Sequence, residues 1–258
     1  MTERAEPLPQ PSRPPLAYED LGAGAPVLLI HGFAGTARTH FAPLIAALEP
    51  EYRIIAPDLS KHGRSAAISR QVDARLHHHD ADDLLALVER LGLREVNLIG
   101  YSDGEETAII LAALLGPRAR SLTIWGVSGR VPPESIVAVY ADPEARIRSW
   151  PALRAELERL HGPGTALPML TNWAAAMEDL RAQGGAINDD EAARVACPTL
   201  VLAGDRDPFN PLAATQALVA RLPHARLVTL PGAGHDLLAE RPEQVIALAR
   251  RMLVSPEL

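Results

Sequence analysis

Short apolar runs alternate with longer amphipathic stretches from residue 27 onward, and this alternation restricts the possible folds more than any other feature of the chain. Apolar runs of this kind, bounded by glycine or proline, are typical of strands that are covered on both faces in a parallel sheet. The stretches between them have the apolar spacing of helices. The sequence therefore predicts an α/β fold with a mostly parallel central sheet flanked by helices. The predicted strands are 27–30, 53–56, 96–99, 122–125, 199–202 and 227–230, and the predicted helices are 39–48, 73–91, 104–115, 212–222 and 242–253.

The alternation breaks once, between residues 128 and 195. This segment contains no predicted strand, but it has three helical stretches, near 133–141, 143–160 and 168–183. Because these helices stand between two core strands, they predict a helical lid, 128–195, inserted into an α/β core formed by 16–127 and 196–258. Residues 1–15 contain five prolines and no long apolar run, so they are predicted to be a disordered lead-in.

Composition narrows the class of partner. The 258 residues carry a net charge of −7, whereas a protein that binds nucleic acid usually shows a basic surface. The single cysteine, Cys197, excludes an intramolecular disulfide and a zinc site made of several thiolates. No apolar run approaches the length of a membrane-spanning helix. We expect a soluble, cytoplasmic protein without a nucleic-acid or membrane partner; its oligomeric state stays open.

The pentapeptide Gly100-Tyr101-Ser102-Asp103-Gly104 is the strongest local motif, because it stands between a predicted strand and a predicted helix. Glycines two residues before and after a serine allow a cramped turn that exposes the hydroxyl group. A structural glycine turn is the alternative interpretation. The placement favours a nucleophile, Ser102.

A serine nucleophile needs a base and an acid that orients the base. In hydrolases with this turn, the acid and then a histidine follow the serine along the chain. His235 leaves a glycine-rich loop after the strand predicted at 227–230. Asp205 and Asp207 both follow the preceding strand, and either could be the acid. We prefer Asp207, since it lies further into the loop, and expect Asp205 to support the turn.

Acyl transfer also requires donors for the developing oxyanion. The segment from His31 to Gly35 closes the first apolar strand, and its glycines allow the Phe33 amide to point inward. The second predicted donor is the Asp103 amide, in the turn 100–104, which we call the elbow, at the start of the helix that follows it. We expect the His31 ring to fix this loop by hydrogen bonds, because His235 fits the position of the base better.

Together these motifs resemble the α/β-hydrolase-fold serine hydrolases over residues 16–254. The elbow is similar to that of the valacyclovir hydrolase (biphenyl hydrolase-like) family, and the likeness continues through 124–126, 149–150, 172–173 and 204–208. The resemblance implies a triad of Ser102, Asp207 and His235. It also implies that the Asp103 side chain binds the α-amino group of amino-acid esters.

Two positions depart from the family pattern. Lys61 stands where the loop after the second core strand usually has its first glycine, and Glu105 replaces a second glycine after the elbow. Each change adds a charge where the family has none. The departures leave the identity of the substrate more open than the class of reaction.

A carboxylate beside the nucleophile needs a reason, since it repels the oxyanion. At about 6 Å and an effective dielectric near 20, the repulsion is on the order of 3 kcal/mol, roughly a hundredfold in rate. A substrate amine at Asp103 would offset this repulsion. The alternative is that Asp103 faces solvent or stabilises the helix N-terminus. Glu105 and Glu106 share the helix explanation, and we expect at least one of them to face solvent.

Aromatic residues near the lid suggest an apolar substrate pocket. The predicted substrate-binding residues, besides Asp103, are Phe33, Trp125, Trp150 and Phe209. The tryptophans, Trp173 included, have a second interpretation, in which they only attach the lid to the sheet. The run 77–80, three histidines and an aspartate, is not expected to bind a metal, because consecutive helical residues point in different directions. No metal or cofactor is predicted.

The sequence therefore predicts a serine hydrolase that cleaves small-molecule carboxylic esters through an acyl-enzyme and favours α-amino-acid esters. The same machinery is compatible with a thioester, a lactone or a C–C bond, because fold and triad do not discriminate among these reactions. A non-catalytic ligand-binding member of the fold is a third interpretation, and the complete set of serine, aspartate and histidine argues against it.

Overall fold

The computed structural model describes residues 15–68, 72–134 and 141–256. The lead-in predicted for residues 1–15 lies outside these ranges, apart from Pro15. Residues 135–140 of the helix predicted near 133–141 also lie outside them.

A seven-stranded sheet forms the centre of the molecule, in the order β1-β3-β2-β4-β5-β6-β7. Strand β1 runs antiparallel to β3, and every other neighbouring pair is parallel. All six predicted apolar runs lie in the parallel strands, so the predicted fold class is confirmed. The strands are β1 (Tyr18–Leu21), β2 (Pro26–Ile30), β3 (Arg53–Pro57), β4 (Val96–Tyr101), β5 (Ala119–Trp125), β6 (Thr199–Gly204) and β7 (Ala225–Leu230).

Helices cover both faces of this sheet. Successive side chains of a strand point to opposite faces, so Val27 and Leu29 of β2 enter one core layer and Leu28 and Ile30 enter the other. All four are fully buried, and each contributes about 1.5–3 kcal/mol to the free energy of unfolding. The flanking helices are α1 (Ala37–Leu48), α2 (Leu76–Arg90), α3 (Asp103–Leu115), α8 (Leu212–Val219), α9 (Leu237–Glu240) and α10 (Pro242–Val254).

The segment predicted as the lid contains four described helices between β5 and β6. These are α4 (Pro143–Ser149), α5 (Pro151–His161), α6 (Ala166–Ala182) and α7 (Asp189–Ala192). The single helix predicted over 143–160 is two helices, because a residue before proline avoids helical backbone angles and Trp150 precedes Pro151. We keep the division into core and lid as a proposal. Within the described ranges, no helix is both long and apolar enough to span a membrane.

The parallel strands carry the loops of the predicted site to one edge of the sheet. His31 directly follows β2, Ser102 follows β4, and Asp207 and His235 come after β6 and β7. Because parallel strands end at the same edge, residues far apart in sequence meet there.

Candidate active site

The turn between β4 and α3 holds Ser102 in a strained conformation, with φ 55° and ψ −131°. A Cβ atom at Gly100 would lie 2.6 Å from the Cα atom of Glu105, and one at Gly104 would overlap the carbonyl oxygens of Ile30 and His31. Both glycines are therefore required by close packing. Strain of this kind costs on the order of 1–3 kcal/mol and is typical of functional turns.

A chain of hydrogen bonds joins Ser102, His235 and Asp207. The Ser102 hydroxyl lies 3.0 Å from His235 Nε2, and His235 Nδ1 lies 2.9 Å from Asp207 Oδ2. Asp207 is almost fully buried, and its Oδ1 atom accepts the backbone N–H groups of Phe209 and Asn210 at 2.8 and 3.1 Å. The structure thus brings the three predicted triad residues together in the geometry of a nucleophile, a base and an orienting acid.

Asp205 has a different role from Asp207. Its Oδ1 atom accepts the Gly232 N–H group at 2.7 Å and so ties the loop after β6 to the loop after β7. This is the turn-supporting contact that the sequence predicts for Asp205.

Two histidines hold the loop after β2 against the nucleophile. His31 Nδ1 donates to the Gly32 carbonyl oxygen at 2.9 Å, while its Nε2 accepts the Leu59 N–H group at 2.9 Å. The Gly32 N–H group donates to His40 Nδ1 at 3.2 Å. Burial lowers the pKa of His40 to about 3, so this ring stays neutral and remains an acceptor. The predicted loop-fixing role of His31 is confirmed.

The two predicted oxyanion donors, the Phe33 and Asp103 amides, each come directly after one of two residues, Gly32 and Ser102, that are in close contact. A Cβ atom added to Gly32 would lie 2.8 Å from the Ser102 Cβ atom, so the two chain segments are in close contact. Phe33 is the next residue after Gly32, and Asp103 is the next after Ser102. Their amides stay proposed donors, on either side of this contact.

A cavity opens at Ser102 and His235. Three of the predicted substrate-binding residues line it, namely Phe33, Asp103 and Phe209. The Phe209 ring also packs against the His235 ring, with centroids 4.7 Å apart.

The prediction that Trp125 and Trp150 line this cavity is wrong. Trp125 is fully buried in the core, where its ring stacks on Tyr101 and meets the edge of Phe41, because its position in β5 directs it toward the layer of α1. Trp150 is 48% exposed at the break between α4 and α5, with the Arg146 guanidinium 5.0 Å from its ring. Trp173, of helix α6, is the tryptophan that lines the cavity.

The Asp103 carboxylate lies in the cavity wall. Its Oδ2 atom accepts the indole N–H of Trp173 at 2.7 Å, and its Oδ1 atom is 3.9 Å from His77 Nε2. The side chain keeps 22% of its surface exposed. Asp103 therefore faces the cavity and is positioned by a residue of the predicted lid.

His77 is a buried neighbour of this carboxylate that the sequence did not assign to the site. Burial lowers the pKa of His77, but the carboxylates of Asp103, Glu106 and Asp80 outweigh that effect and raise the pKa above its usual value. The two adjacent histidines have other partners. His78 Nε2 lies 3.5 Å from Glu191 Oε1, and His79 Nε2 lies 3.2 Å from Asp73 Oδ1. The three histidines do not converge, as predicted.

Glu105 and Glu106 are both buried, so the prediction that at least one faces solvent is wrong. The elbow presses the first turn of α3 onto β4, which encloses both side chains. Glu106 Oε1 accepts the Gly129 N–H group at 2.9 Å, and Asn188 donates to Oε2. Burial raises the pKa of Glu106 to about 7.

The Glu105 carboxyl group is buried without the hydrogen bonds that Glu106 has. Neither of its carboxyl oxygens has a hydrogen-bond partner among the described residues. Burial, and then the charges of Glu106, Asp207 and Asp103, raise its pKa well above the usual value. Burial thus favours the protonated form of this group.

Replacing Glu105 by glutamine should remove a pH-dependent loss of stability. An acid whose pKa is raised on folding binds its proton more tightly in the folded chain, so the free energy of unfolding falls as pH rises above the ordinary glutamate pKa. The fall is about 1.4 kcal/mol per pH unit until the raised pKa is reached. The Glu105→Gln protein should match the wild type near pH 5 and be the more stable of the two at pH 7, by a margin that grows with pH until the raised pKa is reached. Urea unfolding at both pH values measures this.

Glu95→Gln is the matched control, because Glu95 is 64% exposed. It should leave the pH dependence of unfolding as it is in the wild type. An equal pH dependence in wild type and Glu105→Gln would show that Glu105 ionises normally in the folded chain.

Sequence reasoning missed His40, His77 and Asn188 as parts of the site. His40 and Asn188 belong to no motif, and the run 77–80, which contains His77, was considered only as a metal site. His77 and Asn188 reach their partners through contacts between distant segments. Trp173 was noted with the tryptophans, but its hydrogen bond to Asp103 spans 70 residues of sequence, and no local pattern encodes it.

The sequence of the chain matches a known protein family. The model of the alpha/beta hydrolase family matches residues 27–248. The human serine hydrolase BPHL is 27% identical over 242 residues, which cover 92% of this chain and 82% of that protein. The mouse serine hydrolase BPHL is 28% identical over 225 residues, 86% of this chain and 77% of that protein.

Solved structures agree with this assignment. A thermophilic esterase from Thermogutta terrifontis superposes with a TM-score of 0.71 at 28% identity, covering 94% of each chain. A meta-cleavage product hydrolase from Pseudomonas fluorescens IP01 gives a TM-score of 0.72, covering 92% of this chain and 93% of that one; at 22% identity it shows the shared fold alone. The resemblance predicted from the motifs is confirmed. The family match over 27–248, with hydrolases as its relatives, shows that the chain is an enzyme and belongs to the alpha/beta hydrolase family.

Proposed function

We propose that this enzyme cleaves carboxylic esters through an acyl-enzyme at Ser102 and prefers esters that carry a free amine close to the scissile carbonyl. One observation supports this most directly. The hydrogen-bonded chain from Ser102 through His235 to Asp207 opens into a cavity in whose wall the Asp103 carboxylate lies. The relatives named serine hydrolase and esterase support the same reaction class.

In the first half of the reaction, His235 Nε2 takes the hydroxyl proton of Ser102 while Oγ attacks the ester carbonyl carbon. The carbonyl oxygen becomes an oxyanion between the Phe33 and Asp103 amides. Asp207 accepts the Nδ1–H group of His235, which fixes the imidazole tautomer and stabilises the imidazolium ion. His235 then protonates the alcohol as the C–O bond breaks, and the acyl group stays on Ser102.

In the second half, water replaces the alcohol. His235 Nε2 takes a proton from this water, and the hydroxide oxygen attacks the acyl carbon. The tetrahedral intermediate collapses with return of the proton to Ser102 Oγ, which releases the acid and restores the resting enzyme. Phe33 and Phe209 supply apolar surface at the cavity wall.

The Asp103 side chain is the proposed anchor for the amine. The Trp173 indole N–H group holds one carboxylate oxygen, and the carboxylate remains partly exposed to the cavity. A substrate ammonium there forms a charge-assisted hydrogen bond and cancels the repulsion between Asp103 and the oxyanion. Esters that lack the amine leave this repulsion in place.

Asp103→Asn should therefore lower kcat/KM for an amino-acid ester about a hundredfold relative to its effect on the des-amino or N-acetylated analogue. The asparagine keeps the shape and the acceptor for Trp173, so the change isolates the charge. The measurement is kcat/KM for the matched esters in both proteins, with a thioester and a lactone in the same panel. Equal losses on the amino and des-amino esters would contradict the anchor, and faster turnover of the thioester or lactone would reassign the scissile bond.

A further inference from the structure

A second chamber adjoins the catalytic cavity and shares a wall with it. The wall is the pair Phe33 and Trp173, whose rings stack with centroids 5.1 Å apart and line both spaces. We name this second chamber the Lys61 chamber, after the cation that lines it together with Phe33, His62, Thr165, Asn172 and Trp173.

The two spaces differ in charge. The catalytic cavity is lined by the carboxylates of Asp103 and Glu106, and its lining cation, Arg130, is paired with Asp189. The Lys61 chamber is lined by one cationic residue and has no aspartate or glutamate among its described lining residues. Its remaining polar groups are neutral donors or imidazole, and the rest of its surface is apolar. This lining fits an anionic group at the end of an apolar chain.

Lys61 occupies a backbone position that favours glycine. Its φ angle is 72°, in the left-handed region, where a side chain costs free energy that glycine avoids. Lys61 is also the only lysine in a chain with 25 basic residues. The side chain is half-buried and has no ion-pair partner among the described residues. A strained, half-buried cation at a cavity wall is typical of a functional site.

We propose that the Lys61 chamber binds a carboxylate on the alcohol half of the ester substrate. This inference rests on the proposed function, in which Asp103 holds the amine of the acyl half. With the acyl half committed to the catalytic cavity, the alcohol half is the part that can extend to the other side of the Phe33–Trp173 wall. The preferred substrate thus carries a cation near the scissile carbonyl and an anion at a distance from it.

Two amino-acid esters of equal length test the charge preference. One has a 5-carboxypentyl alcohol half, and the other ends in the isosteric carboxamide. The wild type should show about a tenfold higher kcat/KM for the carboxylate ester, because a hydrogen bond to a charged group is worth more than one to a neutral group. The difference should appear in KM, since Lys61 binds ground state and transition state alike. A glutamyl ester, with its carboxylate on the acyl half, should show no such advantage.

Lys61 variants separate the charge from the fold. Lys61→Met and Lys61→Gly should reduce the ratio of the two kcat/KM values to about one, whereas Lys61→Arg should keep most of it. Lys61→Gly should unfold at the same temperature as the wild type or higher, because glycine relieves the positive φ angle. Arg154→Gln removes an exposed cation of helix α5 and should leave the ratio as it is.

Because Lys61 is the only lysine, its ε-amine can be observed directly. Reductive methylation with ¹³C-formaldehyde labels Lys61 and the N-terminal amine alone. Titration with 6-hydroxyhexanoate, the alcohol product, should shift the Lys61 signal, and titration with 1,6-hexanediol should not. A phosphate monoester of hexanediol is the comparison that distinguishes a carboxylate site from a general anion site.

The outcomes distinguish this inference from the proposed function. Hydrolysis of both esters at equal rates, with no change of ratio in Lys61→Met, overturns the inference and leaves the esterase function intact. An advantage for the glutamyl ester overturns the assignment to the alcohol half. If neither ester is hydrolysed, the proposed function fails, and the Lys61 signal alone decides the chamber: no shift with 6-hydroxyhexanoate, or a shift only with the phosphate monoester, overturns the carboxylate site.

Discussion

Replacing Ser102 by alanine is expected to lower kcat for every ester by a factor of about 10⁴ to 10⁶. The Ser102 hydroxyl stands at the apex of the elbow, within hydrogen-bond reach of His235 Nε2. Without it, no acyl-enzyme forms, and only binding and the oxyanion donors remain to assist attack by water. The residual rate should therefore be uniformly low across amino, neutral and thioester substrates.

A fluorophosphonate probe gives the same test without a known substrate. It should label the wild type at Ser102 and should not label Ser102→Ala. Ser149→Ala is the matched control, because Ser149 donates to a backbone carbonyl on the exposed surface of α4 and should not affect labelling. Absence of labelling in the folded wild type would favour a ligand-binding protein without catalysis, and turnover that survives in Ser102→Ala would refute the nucleophile.

The fold and the triad could be predicted because both are encoded locally. Each parallel strand contains a short, mostly apolar run, and the parallel order carries the residues that follow the strands to one edge. Gly100 and Gly104 make the elbow predictable from the sequence, since packing excludes any side chain at these two positions. The edge strand Tyr18–Leu21 was missed because it is short and none of its residues is fully buried, so it lacks the apolar run of the others.

The electrostatics of the site could not be predicted, because they depend on what is packed above the elbow. Helix propensity and the helix dipole suggest that Glu105 points outward, but the close contact between α3 and β4 buries it. The same applies to Trp125 and Trp173, which are equally aromatic in sequence. Only the tertiary structure decides that Trp125 belongs to the core and Trp173 to the cavity.

The two buried acids, Glu105 and Glu106, bear on the proposed role of Asp103 as the amine anchor. Burial raises the pKa of Glu105 well above its usual value and the pKa of Glu106 to about 7, which disfavours the charged form of both. Asp103 is the partly exposed member of the three. It lies beside His77, whose pKa is raised by the neighbouring carboxylates. The negative charge available to a substrate is thus concentrated at Asp103 rather than spread over the first turn of α3.

Replacing Asp207 by asparagine should reduce kcat/KM by about 10³ to 10⁴. The backbone N–H groups of Phe209 and Asn210 both donate to Oδ1, so the amide oxygen of the asparagine must take that place. Its NH₂ group then faces His235 Nδ1, at the place where Oδ2 now accepts. The imidazole has to accept at Nδ1 and carry its proton on Nε2, where it can no longer take the proton of Ser102.

Asp205→Asn is the control for this prediction, because Asp205 and Asp207 lie in the same loop after β6. The asparagine keeps an oxygen to accept the Gly232 N–H group, so kcat/KM should stay within a few-fold of the wild type. Steady-state kinetics on one ester, with thermal unfolding of both variants, measures the contrast. A large loss in Asp205→Asn with a small loss in Asp207→Asn would move the acid to Asp205. The buried contacts of Asp207 make the opposite result the expected one, since the two amide donors at Oδ1 leave only Oδ2 to direct the His235 ring toward Ser102.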